Sequence, residues 1–132
     1  LDTTARTAKD AANSLKCELG AIVKSLVFKA EDTFIICLVS GDKRCSLNKL
    51  KKILNKKDVA MANADQVKEN TGFSIGGVAP TGHLKKLNII VDKSLSRFKY
   101  VYGAAGHPDC VFRITYTELV RLTIGSEQEI TE

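Results

Sequence analysis

A single lysine inside an apolar run and two glycine-rich stretches are the features of this 132-residue sequence that could carry chemistry. The lysine is Lys24, in Ile22-Val-Lys-Ser-Leu-Val-Phe28; on a strand it shares a face with Leu26 or sits near a sheet edge. Two roles fit it: protection of an edge strand against aggregation, or a cation at a pocket rim that binds a carboxylate, phosphate or carbonyl oxygen. Six of the nine glycines fall between Gly72 and Gly106, in Gly72-Phe-Ser-Ile-Gly-Gly-Val-Ala-Pro-Thr-Gly-His83 and Gly103-Ala-Ala-Gly-His107-Pro108. Backbone with so few side chains can turn tightly, or it can bring amides close to a carbonyl oxygen or phosphate while Pro80 stiffens the bend. The spacing matches neither a GxxxxGK[ST] phosphate loop nor a dinucleotide fingerprint, which removes nucleotide hydrolysis and hydride transfer from the leading readings. His83 and His107 each end a glycine-rich loop, and either could serve as a general base near neutral pH. Ser74 is not in a GxSxG elbow and no cysteine precedes a recognisable histidine partner, so covalent catalysis is disfavoured. Asp92 follows an apolar run and can orient a lysine or cap the turn at Ser94.

Charge offers a second signal. The net charge of +5 permits an anionic partner without naming one. Five lysines crowd into Asn48-Lys-Leu-Lys-Lys-Ile-Leu-Asn-Lys-Lys57. Leu47, just before that segment, and Leu50, Ile53 and Leu54 within it form one helical stripe expected to be buried, and Lys49, Lys52 and Lys56 share the opposite face. That face is either a solvated surface or a phosphate contact; without interleaved aromatics it is not a base-stacking platform. Cys17, Cys37, Cys45 and Cys110 lack metal-site or CxxC spacing, so free thiols are expected, with Cys37 buried inside Phe34-Ile-Ile-Cys-Leu-Val39. No apolar run approaches the roughly 20 residues needed to cross a bilayer, and no signal peptide is visible, so a cytoplasmic protein in a reducing compartment is expected.

These residues need a scaffold, and the pattern supplies one. A capping box at Thr7 and Asp10 opens a first helix that Gly20 can end. Ile22 to Phe28 and Thr33 to Val39 read as two strands joined by a hairpin, with a brief strand at Lys43 to Cys45 and Ser46 capping the lysine helix. Val59 to Ala62 reads as a strand, and Asn63 or Asp65 opens a helix that closes at Gly72. Leu87 to Val91, Tyr100 to Tyr102 and Cys110 to Tyr116 read as strands, and Thr117 caps a last helix, Glu118 to Leu122. Helices interrupt the strands irregularly, which favours an α+β single domain with a mixed sheet curled around a core. Residues 1–125 are assigned to that domain and residues 126–132 to a C-terminal tail expected to fray.

Taken together, Ile22-Val-Lys24-Ser-Leu26, Gly76-Gly-Val-Ala-Pro80-Thr-Gly82-His83, the strand end at Asp92 and Gly103-Ala-Ala-Gly106 resemble the YbaK-like, prolyl-tRNA synthetase-associated editing domains. The order and spacing match over nearly the whole chain. The resemblance implies a compact α+β domain with a mixed, barrel-like sheet flanked by short helices. It also implies hydrolysis of misacylated tRNA, chiefly tRNA(Pro) carrying alanine, cysteine or another small amino acid, with no metal or other cofactor. On it, Lys24 is the active-site lysine, and Gly76, Gly77, Val78, Ala79 and Pro80 form the GxxxP loop that positions the ester and the attacking water. Ser25, His83, Asp92, Gly103, Gly106 and His107 are the residues expected around the substrate. Lys49, Lys52, Lys56, Lys85 and Lys86 are expected to face tRNA, and prolyl-tRNA synthetase is an expected partner. Two departures stand out. Ser25 follows the lysine where alanine-selective relatives tend to carry Asn and cysteine-selective relatives Thr, and His107-Pro108 differs from the cysteine-type loop. A noncatalytic module of the same fold, a synthetase appendage or tRNA-binding adaptor, is the competing expectation.

Overall fold

A computed structural model describes residues 8–75, 77–104 and 111–132. The described elements run α1 (Ala8–Leu15), β1 (Val23–Ala30), β2 (Thr33–Ser40), α2 (Leu47–Leu54), β3 (Val59–Met61), α3 (Ala64–Thr71), β4 (Asn88–Asp92), β5 (Tyr100–Ala104), β6 (Val111–Thr115), α4 (Tyr116–Thr123) and β7 (Ser126–Gln128). Two short 3-10 helices, Leu19–Ala21 and Lys93–Arg97, complete the path. Five strands form one mixed sheet in the order β3-β1-β2-β4-β7, and β5 and β6 form a separate antiparallel ribbon. β1 is antiparallel to both β2 and β3, whereas β4 is parallel to β2 and to β7. The chain is therefore the mixed α+β domain that its pattern implies.

Alternating side chains of the sheet build two cores. Val23, Val27, Ile36, Leu38, Ile89 and Val91 face one, which also takes Ala62, Val67, Val78 and Val101. Phe28, Ile35, Cys37, Val39 and Ile90 face the other, closed by Leu50 of α2 and by Ile130. β2 and β4 are covered on both faces, which is why they read as continuous apolar runs rather than as alternating ones. Each large side chain fully buried here contributes about 1.5–3 kcal/mol of hydrophobic stabilisation.

Local signals set the element ends. The Ser46 side chain accepts from the Lys49 N–H at the start of α2, and Asn55 closes that helix at φ 56. Asn63 and Gln66 form a reciprocal capping box on α3, which Gly72 ends at φ 82. The Thr7 cap and Cys110 lie outside the described residues.

Several expectations are corrected. The stripe on α2 is narrower than its spacing implies: Leu50 is buried, but Leu47 and Ile53 are 39% and 38% exposed, because a single helix lying on a sheet buries only its central ridge. Lys43 to Cys45 is not a strand; only Cys45 forms a bridge, to Thr131. The cap of α4 is Thr115, whose side chain accepts from Glu118 N–H, not Thr117. Above all, residues 126–132 do not fray as a tail. β7 extends the sheet, Ile130 is fully buried, and the Ile130 carbonyl accepts from Ser46 N–H at 2.6 Å. The acidic composition of the segment hides this, since only Ile130 signals a core position.

Candidate active site

The site begins with an unpaired stretch of β1. Peptide groups along a strand alternate between its two edges. The Ile22 carbonyl accepts from Gly41 N–H at 2.7 Å on the β2 side, and the Val27 carbonyl accepts from Ala62 N–H at 2.9 Å on the β3 side. The peptide groups of Val23 and Ser25 therefore point away from β2. On that side β3 pairs only with Phe28, Lys29 and Ala30, and β5 bridges through Tyr102 to Ile22, the residue before β1. Between these contacts no described strand covers the edge, and a cavity of about 290 Å³ opens against it.

Apart from that backbone and the side chains of Lys24, Ser25 and Tyr102, the cavity lining is apolar. Val27, Ala62, Val67 and Val78, all buried, form its inner wall. Met61 and Ile75, more than half exposed, stand at its mouth, and Tyr102, Gly103 and Ala104 of β5 flank it. A Cβ on Gly103 would come within 2.7 Å of the Phe112 ring, so glycine there lets β6 pack against the wall.

The long loop after α3 is pinned at both ends. Leu84 N–H donates to the Thr71 carbonyl and Lys85 N–H to the Asn70 carbonyl, each at 3.1 Å. Phe73 N–H donates to the Thr71 hydroxyl at 3.0 Å, and Gly77 N–H to the Ser74 carbonyl at 2.9 Å. Gly77, Val78, Ala79 and Pro80 are all buried. His83 does not line the cavity. Its Nε2 lies 2.7 Å from the Ala79 carbonyl, so that nitrogen carries the proton, and the ring meets Phe73 edge-on with centroids 5.9 Å apart. His83 thus braces the loop from behind. Gly76, Gly106 and His107 lie outside the described residues.

Lys24 and Ser25 border the cavity together, on opposite faces of β1. Ser25 shares the face of Val23 and Val27, hence the side of Val78; Lys24 shares the face of Leu26. The Lys24 ammonium donates to the Lys43 carbonyl at 2.6 Å, which leaves two of its three N–H groups. Burial, reinforced by Arg44, holds Lys24 below the ordinary lysine range against the opposing pull of Asp42.

The remaining expected residues scatter. Asp92 is buried and outside the cavity lining; its carboxylate accepts from Ser94 N–H and Thr131 Oγ1, both at 3.1 Å, and from Ile130 N–H at 2.7 Å. Lys49 and Lys52 lie on α2, which covers the sheet face opposite Val67 and Val78; Lys56 does not share their helix face as expected, because Asn55 ends α2 before it. Lys49 donates to the Thr131 carbonyl at 2.7 Å, and Lys56 lies 3.9 Å from Glu31. Lys85 lies 4.0 Å from Glu69, and Lys86 is exposed. Val27, Ala62, Val67 and Tyr102 also line the cavity, and no sequence motif marks them. In sequence they read only as strand and helix positions.

The candidate site is thus a largely apolar hollow between a bare strand edge and a glycine loop, set in an α+β domain. The aminoacyl-tRNA editing domain family matches residues 2–122, and the chain belongs to that family. It is 39% identical to the crystal structure of a proposed trans-editing enzyme for prolyl-tRNA synthetase, covering 100% of this chain and 83% of that one with a TM-score of 0.93. An uncharacterized Bacillus subtilis protein, YwhH, is 33% identical over 119 residues, 89% of this chain and 75% of its own length. The proline–tRNA ligase of Thermosipho africanus is 37% identical over 99 residues, 74% of this chain but only 18% of the ligase. Among the described residues no helix is long and apolar enough to cross a membrane.

Proposed function

We propose that this domain hydrolyses the ester of misacylated tRNA in the cytoplasm, acting on tRNA(Pro) that carries alanine, cysteine or another small amino acid, beside prolyl-tRNA synthetase. The observation that carries this reading is the cavity itself: at about 290 Å³ it sits at the lower bound of ligand pockets and suits a small acyl group. Its apolar wall excludes larger side chains sterically, and the Ser25 and Val23 peptide groups offer partners to the α-amino group and ester. An aminoacyl ester is already labile. Positioning by the 76–80 loop, polarisation of the carbonyl by backbone amides and the vicinal ribose hydroxyl suffice without a protein nucleophile. Lys24 supplies the cation at the rim. Such a pocket discriminates a single methylene by about 1–3 kcal/mol, which suits a second, hydrolytic check on small amino acids.

One observation favours a second reading. The bond from Lys24 to the Lys43 carbonyl gives that ammonium a structural partner, as a noncatalytic tRNA-binding adaptor would require. A deacylation panel with Ala-, Cys-, Ser-, Thr- and Pro-charged tRNA(Pro) separates the two. Release of one small amino acid, abolished in a folded Lys24→Ala variant, supports the hydrolase; release of none, with tRNA still bound, supports the adaptor.

A further inference from the structure

The β5–β6 ribbon has two unlike faces. Val101 is fully buried and Gly103 is buried beside it, and Phe112 and Ile114 pack into the core with them. The opposite face is set by the cross-strand pairs of Tyr100 with Thr115 and Tyr102 with Arg113. Tyr100 is 37% exposed and carries two cations: the Arg113 guanidinium carbon lies 4.6 Å from its ring centroid and Lys99 Nζ 5.5 Å. Tyr102, two residues or about 7 Å further along the strand, already lines the cavity. An aromatic and cationic platform therefore runs straight to the mouth of the site. The lysines of α2 have no such continuity, since they cover the other face of the sheet.

We infer that this outward face, built on Tyr100, Tyr102 and Arg113, binds the unpaired nucleotides at the 3′ end of the tRNA. The inference rests on the proposed function only in taking the acyl group to enter the cavity on the terminal ribose. With the ribose at the mouth, the bases that precede it lie along the ribbon. Tyr102 stacks on the nucleoside nearest the ester, and the Arg113–Tyr100 pair stacks on the next. Lys99 and Arg113 neutralise the intervening phosphates. Aromatic and guanidinium surfaces accept any base, which fits an end that tRNAs have in common.

The test measures binding of uncharged tRNA(Pro), intact and with its last three nucleotides removed, to the full chain and its variants. Tyr100→Ala is expected to weaken binding of intact tRNA about fivefold or more, with little effect on trimmed tRNA, while Tyr100→Phe retains affinity. Arg113→Ala is expected to lower the slope of log affinity against log salt by about 0.7, a change that loss of packing would not produce. An unchanged thermal midpoint shows that each variant is folded. Equal weakening on intact and trimmed tRNA, or no weakening in either Tyr100→Ala or Arg113→Ala, overturns the inference. Deacylation measured in parallel keeps the two claims apart. End-dependent binding without amino-acid release sinks the hydrolase and leaves the platform standing, and release without end-dependent binding does the reverse.

Discussion

Replacing Asp92 by asparagine tests how the domain is closed. Asp92 Oδ1 takes the Ile130 N–H at 2.7 Å, and Oδ2 takes Ser94 N–H and the Thr131 hydroxyl. An asparagine oriented to keep the Ile130 bond sets its NH₂ against the Ser94 N–H, donor facing donor, while the Thr131 hydroxyl can rotate to accept. One charge-assisted bond is lost and the other two become neutral, a cost of about 3 kcal/mol at a buried site. At about 2.1 cal/mol/K of unfolding entropy per residue, 132 residues lose roughly 10 °C of thermal midpoint. Unfolding followed by circular dichroism at neutral pH measures the loss. Carboxypeptidase digestion reports whether the segment around Ile130 is released first. Deacylation at 20 °C should stay within about twofold of the parent, because Asp92 does not line the cavity. A midpoint that moves by less than about 3 °C refutes the hydrogen-bond argument. Activity that collapses while the midpoint holds would instead make Asp92 a substrate-binding residue.

Two further expectations concern acid stability and selectivity. The Arg97 guanidinium donates to both carboxylate oxygens of Asp42, at 3.1 and 2.8 Å, and holds that carboxyl below the usual range. Its contribution is present above the ordinary carboxylate value of 3.8 and is lost as pH falls through the lower folded value. Arg97→Ala should therefore cost under about 1 kcal/mol in urea melts at pH 7 and nothing near pH 2, the pair being well exposed; a cost independent of pH would discard the ion pair as its cause. Val67→Phe should fill the inner wall and reduce deacylation of the larger amino acids in the panel more than that of alanine, at roughly 1–3 kcal/mol of stability from overpacking. Equal loss for every amino acid would show that the wall does not select.

The fold was legible where local chemistry and burial agree. The β1–β2 hairpin, the Ser46 cap and the Gly72 stop are each specified by a few neighbouring residues and appear as read, and of the two helix starts left open, Asn63 and Asp65, Asn63 is the cap. β7 was not legible, because a parallel strand added by a polar segment carries no period of its own and depends on Val91 and Asp92, about 35 residues earlier, for its pairing. The site divides the same way. Its glycine loop and Lys24 announce themselves by composition, whereas a strand edge left open and a ribbon of tyrosines become a site only when distant elements meet.

The Asn63–Gln66 capping box has a consequence for the breadth of substrates the fold can admit. By turning the chain into a helix directly after Ala62, it stops β3 short and so sets the aperture beside Ser25. Shifting that turn by two residues would carry the strand on past Leu26 to Ser25 and narrow the aperture by about 7 Å. The gauge of this pocket is thus held by a helix start, which also aims Val67 at the wall.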